Sequence, residues 1–151
     1  MPAPSSPSVD VLLAAGPEAP SGARRAVRAL ARHRVADLHA VELAVSEAVN
    51  NAVLHAYRDR DPTAGPGKVH VTAVVRGDEL RVTVADEGIG MRPRVDSPGA
   101  GLGLALMGTL ADRIDIDQRR GGTRVTLAFR VTPRSPSRAG SGAAHGRRDA
   151  D

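Results

Sequence analysis

Cysteine is absent from the 151 residues. That excludes disulfides and thiolate metal or redox chemistry and fits a cytoplasmic setting. Aromatic residues are almost missing: Tyr57 and Phe129 are the whole complement, and there is no tryptophan. A core must therefore be packed from Ala, Val and Leu, and no aromatic platform exists on which bases could stack. Lysine occurs once, at Lys68, so the formal charge of +4 is carried almost wholly by arginine. The arginines are scattered (Arg24, Arg25, Arg28, Arg32, Arg58, Arg60, Arg119, Arg120 and four more in the tail). A solvated surface is the expectation, with no direct nucleic-acid partner. No run of about 18 apolar residues exists, so no membrane span is expected. The opening MPAPSSPSVD has neither a basic nor an apolar stretch, so no signal peptide is expected either.

What is present divides into three parts. Residues 1–8 and 132–151 are rich in Pro, Ser, Gly, Ala and Arg and have too little apolar content to offset the entropy of ordering. They are expected to be disordered, leaving one folded domain over 9–131. Val9–Leu13 reads as a short strand. Ser21 is an N-cap candidate for a helix over 22–33, and a second helix is expected over 36–57 with Asp37 near its start. RDRDPTAGPG is a turn-rich connection. Alternating Val69, Val71, Ala73 and Val75, the Gly77-Asp78 turn, and Leu80, Val82 and Val84 predict a hairpin. A helix over 102–113 and a last hairpin around Gly121-Gly122 complete the chain. The order predicts an α+β fold: a two-layer sandwich, mostly antiparallel sheet with helices on one face.

Three stretches carry chemistry. In VELAVSEAVNNAVLHAY, Leu38, Val41, Val45, Ala48, Val49 and Ala52 form a core stripe at helical spacing. Glu47 and Asn51 lie about 120–160° from its centre and next to each other at i,i+4. Two readings are open there. The row, with His55 a turn on, is a solvated face, or the carboxamide offers a hard oxygen to Mg²⁺ beside a carboxylate base. VADEGIGM sets Asp86 at a strand end followed by Gly88 and Gly90. That is a turn, or a backbone shaped for something flat and polar. GAGLGLALM places Gly99, Gly101 and Gly103 before an apolar helix, where backbone N–H groups and the helix N-terminus favour an anion. It is neither G-x-G-x-x-G, since Leu104 stands at the third glycine, nor a P-loop, since Lys68 precedes Val69. No strand lysine in a V-A-I-K context is available for a eukaryotic-type kinase.

In this order, E-x-x-x-N, D-x-G-x-G, G-x-G-x-G and Gly122-Thr123 before a last strand resemble the ATP-binding fold of gyrase, Hsp90, histidine kinases and MutL, the Bergerat-type histidine kinase-like ATPase fold. AVSEAVNNAVLHAY and DEGIGM look most like the anti-sigma factor serine/threonine kinases of bacterial partner switching, over roughly residues 9–131. The resemblance implies ATP and Mg²⁺ as cofactors, and a sigma factor and an anti-sigma factor antagonist as partners. It implies Asp86 accepting a hydrogen bond from the adenine amine, with Gly88 and Gly90 letting the backbone close on the ring and Thr123 supporting Asp86 through its hydroxyl. Asn51 matches the Mg²⁺ ligand, Glu47 the base for a substrate hydroxyl, and Gly99, Gly101 and Gly103 the phosphate loop. A homodimer is also expected.

Two departures stand out. MRPRVDSP, between the glycine boxes, is short and lacks the Thr-Lys-containing lid of some family kinases. His33 and His39 lack the dimeric helical hairpin of a phospho-acceptor histidine. The alternatives to a kinase are an ATP-organised binding module without phosphotransfer and a stand-alone ATPase.

Overall fold

The central hairpin sets the frame. Val69, Val71 and Ala73 are buried on β2 (Lys68–Arg76), and Leu80, Val82 and Val84 on β3 (Glu79–Asp86), while the residues between them face outward. Two loop residues join the strands, pairing Arg76 with Glu79. Gly77 takes φ +59 and Asp78 does not have positive φ, the pattern of a type II′ turn that matches strand twist. In this computed structural model, which describes residues 5–57, 61–88 and 102–132, the hairpin is the middle of a five-stranded sheet. β1 (Ser8–Ala14) lies on one side, and β5 (Gly122–Arg130) and β4 (Arg113–Arg119) on the other, in the order β1-β2-β3-β5-β4, every pair antiparallel.

Three α-helices cover one face: α1 (Ala19–Ala31), α2 (Leu38–Asn51) and α3 (Leu102–Leu110). α1 packs on α2 and over β1 and β2; α2 packs over β3 and β5 and against α3. The core between the layers is Val27, Val41, Val45, Val49, Val69, Val71, Leu80, Val82, Met107 and Leu127, all fully buried, with Phe129 its one aromatic member. The expected α+β sandwich is therefore the observed architecture. No helix of the described residues is long and apolar enough to cross a membrane.

Boundaries moved where local chemistry overrode the pattern. α1 begins at Ala19, ahead of the expected Ser21 cap, with Pro20 in its first turn. Proline is at home there, because its missing N–H falls where a helix has no internal acceptor. The end comes at Ala31, where the Arg34 guanidinium donates to the Leu30 carbonyl at 2.6 Å. The second helix starts at Leu38, two residues later than expected, with Asp37 as its cap accepting from the Ala40 N–H at 2.9 Å. It is not one uniform helix to Tyr57, because Ala52–Ala56 widen into a π-turn. α3 stops three residues early. The Asp112 N–H donates to the Ala128 carbonyl at 2.9 Å and draws the chain into β4 at Arg113. The sheet also takes in Ser8, and Thr132 donates to the Arg34 carbonyl from both its N–H (2.8 Å) and its hydroxyl (3.1 Å).

Candidate functional site

Two of the three chemical stretches meet at the α2–α3 contact. Glu47 and Asn51 stand one turn apart on α2 and are half-buried, because α2 is covered by the sheet on one side and by α3 on another. Gly103, in the first turn of α3, sits directly against them. A Cβ built on it would lie 3.0 Å from Glu47 Oε2, 3.4 Å from Asn51 Oδ1 and 3.6 Å from Asn51 Nδ2. The two side chains therefore converge on one point of the backbone. Glu47 and Asn51 are not on a fully exposed face, and Asn51, not its neighbour Asn50, is the asparagine beside Gly103. His55 lies beyond, in the π-turn. Gly90, Gly99 and Gly101 lie outside the described residues.

Asp86 ends β3 on the helix-facing side, paired in register with Val69 and Thr123. Its Oδ1 accepts from the Gly88 N–H at 3.0 Å and from the Thr123 N–H at 3.3 Å. Thr123 thus supports it with its backbone, where the resemblance implied the hydroxyl. Partial burial pushes the carboxyl above its ordinary value of 3.8, and the two N–H bonds oppose the rise. Among the described residues no hydrogen bond reaches Oδ2. A strand-end carboxylate of this kind makes a directional, charge-assisted contact with an amine.

The glycines around Asp86 serve the protein's own packing. A Cβ on Gly88 would fall 2.1 Å from the carbonyl oxygen of Ala56 and 2.4 Å from its methyl. The side of Gly88 that a side chain would occupy is thus filled by the end of the segment that extends α2. Gly122 is equally constrained. It has φ +147, and a Cβ would fall 1.8 Å from the Asp86 carbonyl oxygen. It closes the β4–β5 hairpin as expected, paired with Arg119, and it also lets β5 lie against the end of β3. Tyr57 was missed as well. Its hydroxyl donates to the Lys68 carbonyl at 2.5 Å and accepts from the Glu87 N–H at 3.1 Å. Its signals were its rarity and its place directly after the apolar helix.

A hollow of about 600 Å³ borders Asp86 and Thr123 from the uncovered face of the sheet, lined also by Leu12, His70, Arg119 and Arg124. It does not touch Glu47 or Asn51 and is not the site that the three stretches build.

Comparison with known proteins fits this geometry. The histidine kinase-like ATPase domain family matches residues 13–129. The anti-sigma F factor of Clostridium beijerinckii is 32% identical over 103 residues, which is 60% of this chain and 69% of that protein. The serine-protein kinase RsbW of Bacillus pumilus is 33% identical over 108 residues, 62% of this chain and 65% of the relative. The chain thus spans about two thirds of the length of these relatives. Among solved structures, the RsbU and RsbW domains of Rv1364c from Mycobacterium tuberculosis superpose with a TM-score of 0.65 at 28% identity, covering 86% of this chain and 34% of that one. On its matched residues, its antiparallel sheet under three helices and the meeting of Glu47, Asn51 and Gly103, the chain belongs to the histidine kinase-like ATPase domain family, in the branch of the anti-sigma factors and serine-protein kinases.

Proposed function

We propose that this protein is an ATP-binding anti-sigma regulatory factor of the cytoplasm that sequesters a sigma factor and phosphorylates a serine or threonine on an antagonist protein. The observation that carries the reading is the convergence of Glu47 Oε2 and Asn51 Oδ1 on the backbone of Gly103. A carboxylate and a carboxamide oxygen meeting beside a glycine at a helix start is a donor set that fits a Mg²⁺–polyphosphate. Mg²⁺ takes hard oxygen ligands and few protein groups, and a helix N-terminus favours the anion. Bound there, Mg-ATP supplies the transferable phosphoryl group.

The chain's own residues divide the work. Asn51 offers its Oδ1 to the metal. Glu47, one turn away, takes the proton from the attacking hydroxyl, a role worth roughly 10²–10⁴-fold in rate. Asp86 accepts from the adenine amine through Oδ2, while the Gly88 and Thr123 N–H groups hold Oδ1. Gly88 and Gly90 shape the turn under the base; Gly99, Gly101 and Gly103 present the phosphate loop. A sigma factor and an antagonist are the partners.

Titration with a fluorescent ATP analogue, and incubation of γ-labelled ATP with candidate antagonists, test the reading. Label should appear on a serine or threonine of the antagonist and should vanish with Glu47→Ala. Tight ATP binding without transfer to any antagonist would replace the kinase by a nucleotide-organised binding module. A homodimer is part of the proposal, and light scattering giving a monomer mass at micromolar concentration would reject it.

A further inference from the structure

We propose that Tyr57 is a positioning residue for nucleobase recognition: its hydroxyl fixes the turn after Asp86 to the helix that carries Glu47 and Asn51. The inference rests on Asp86 being the base reader. Tyr57 follows the π-turn that extends α2. Its single hydroxyl proton goes to the Lys68 carbonyl at 2.5 Å, and its oxygen accepts the Glu87 N–H at 3.1 Å. Glu87 lies between Asp86, the acceptor, and Gly88, whose N–H holds Asp86 Oδ1. One residue back, the Ala56 carbonyl fills the space a Gly88 side chain would need. The turn is thus pinned at two successive residues, Glu87 by hydrogen bond and Gly88 by packing, and both pins come from the end of the α2 segment.

The ring is held as firmly as the hydroxyl. A Cβ on the buried Gly67 would fall 2.3–2.5 Å from Tyr57 ring atoms, so the ring occupies the place of the missing side chain. Gly67 in turn accepts the Ala15 N–H through its carbonyl at 2.7 Å. The ring therefore has little freedom, and its hydroxyl is delivered to one place. Replacing the hydroxyl by hydrogen keeps this ring packing and releases the hydrogen bonds to the Lys68 carbonyl and from the Glu87 N–H. The Asp86 carboxylate would then lose orientation toward the base, while the Glu47–Asn51–Gly103 end, which handles phosphates, would stay as it is.

The test is Tyr57→Phe, titrated with ATP and with inosine triphosphate, which carries a carbonyl where adenine carries its amine. Wild type should prefer ATP. The variant should bind ATP roughly five- to tenfold more weakly, the scale of one or two neutral hydrogen bonds, and inosine triphosphate within about twofold of wild type. Collapse of selectivity with retained triphosphate binding supports positioning. Equal weakening of both nucleotides means that Tyr57 only stabilises the fold and overturns the inference. Unchanged ATP selectivity overturns it too, with Asp86 left as base reader. A wild type without preference removes the Asp86 assignment and the inference with it. Should the variant not fold, wild type alone decides. Tyr57 is the one tyrosine, so its ring gives a single NMR signal set in ring-labelled protein. That signal should shift with ATP and stay put with inorganic triphosphate, and a signal indifferent to ATP overturns the proposal.

Discussion

Gly88→Ala separates packing from nucleotide access as the reason for the glycine. The backbone of Gly88 has no positive φ that only glycine would accept, so the penalty is space alone. The new methyl carbon would start 2.1 Å from the Ala56 carbonyl oxygen, against an ordinary carbon–oxygen contact of about 3.3 Å. The turn and the helix end must part by about 1.2 Å, the difference of those two distances. Such a shift would take the Tyr57–Glu87 hydrogen bond from 3.1 Å to beyond hydrogen-bond range. Overpacking costs about 1–3 kcal/mol and a lost hydrogen bond about 0.5–1.5 kcal/mol. A total of about 2–4 kcal/mol corresponds to a fall in Tm of roughly 8–15 °C for a domain of this size. ATP affinity should drop at least tenfold, roughly 1.4 kcal/mol. Differential scanning calorimetry and a fluorescent-ATP titration measure both. Adding Ala56→Gly removes the methyl contact at 2.4 Å but leaves the carbonyl, so the double variant should recover less than half of the loss. A Gly88→Ala protein melting within about 2 °C of wild type and binding ATP normally would refute the steric reasoning.

Three further outcomes follow from the same geometry. Asp86→Asn should bind ATP more weakly yet fold at least as stably at pH 7. Its folded carboxyl is raised above 3.8 by burial, so its favourable contribution is present below that value and lost as pH rises through the raised one; a destabilised variant in urea melts at pH 7 would contradict this. Gly103→Ala should stabilise α3 by up to about 1 kcal/mol, since alanine favours helix. It should also slow phosphotransfer, because its methyl would start 3.0 Å from Glu47 Oε2, and a time course at full rate would count against the convergence. Asn51→Ala should abolish Mg-ATP binding, whereas Glu47→Ala should keep it and lower transfer by roughly 10²–10⁴-fold; equal loss of binding in both would merge the two roles.

The two hairpins and the buried face of the central one were legible because alternation has a short period and the hairpin turns carry glycine. Val69, Val71 and Ala73, and Leu80, Val82 and Val84, lie on the buried face that the alternation predicted. The α2 stripe was legible for the same reason: Val41, Val45, Ala48, Val49 and Ala52 are buried. Spacing set Glu47 and Asn51 side by side on one helix, and the structure brings both against Gly103. Three things were not legible. The start of α1 was misjudged because Ser21 is a good cap by type, whereas Pro20 in the first turn decided the boundary. The π-turn leaves no periodic mark over five residues. The clamp by Tyr57 joins residues 30 positions apart in sequence, and only the fold brings them within reach.

The π-turn accounts for why the two ends of the site belong to one mechanical unit. An α-helix continued past Asn51 would add a residue every 100°. Widening to an i→i+5 turn changes that angle and the radius, and such bulges gather at functional sites. Here the segment Ala52–Ala56 ends with its last carbonyl against Gly88, and Tyr57 next to it against Gly67, Lys68 and Glu87. Asn51, the last residue of regular α2, therefore sits one turn from the residues that hold the Asp86 turn. The helix that carries Asn51 and the contacts that hold the turn after Asp86 are joined by the five residues Ala52–Ala56. Any movement of the Asp86 turn must move the end of α2 or break the Tyr57 bonds. A ligand gripping both Asp86 and Asn51 would favour the arrangement in which those bonds are intact.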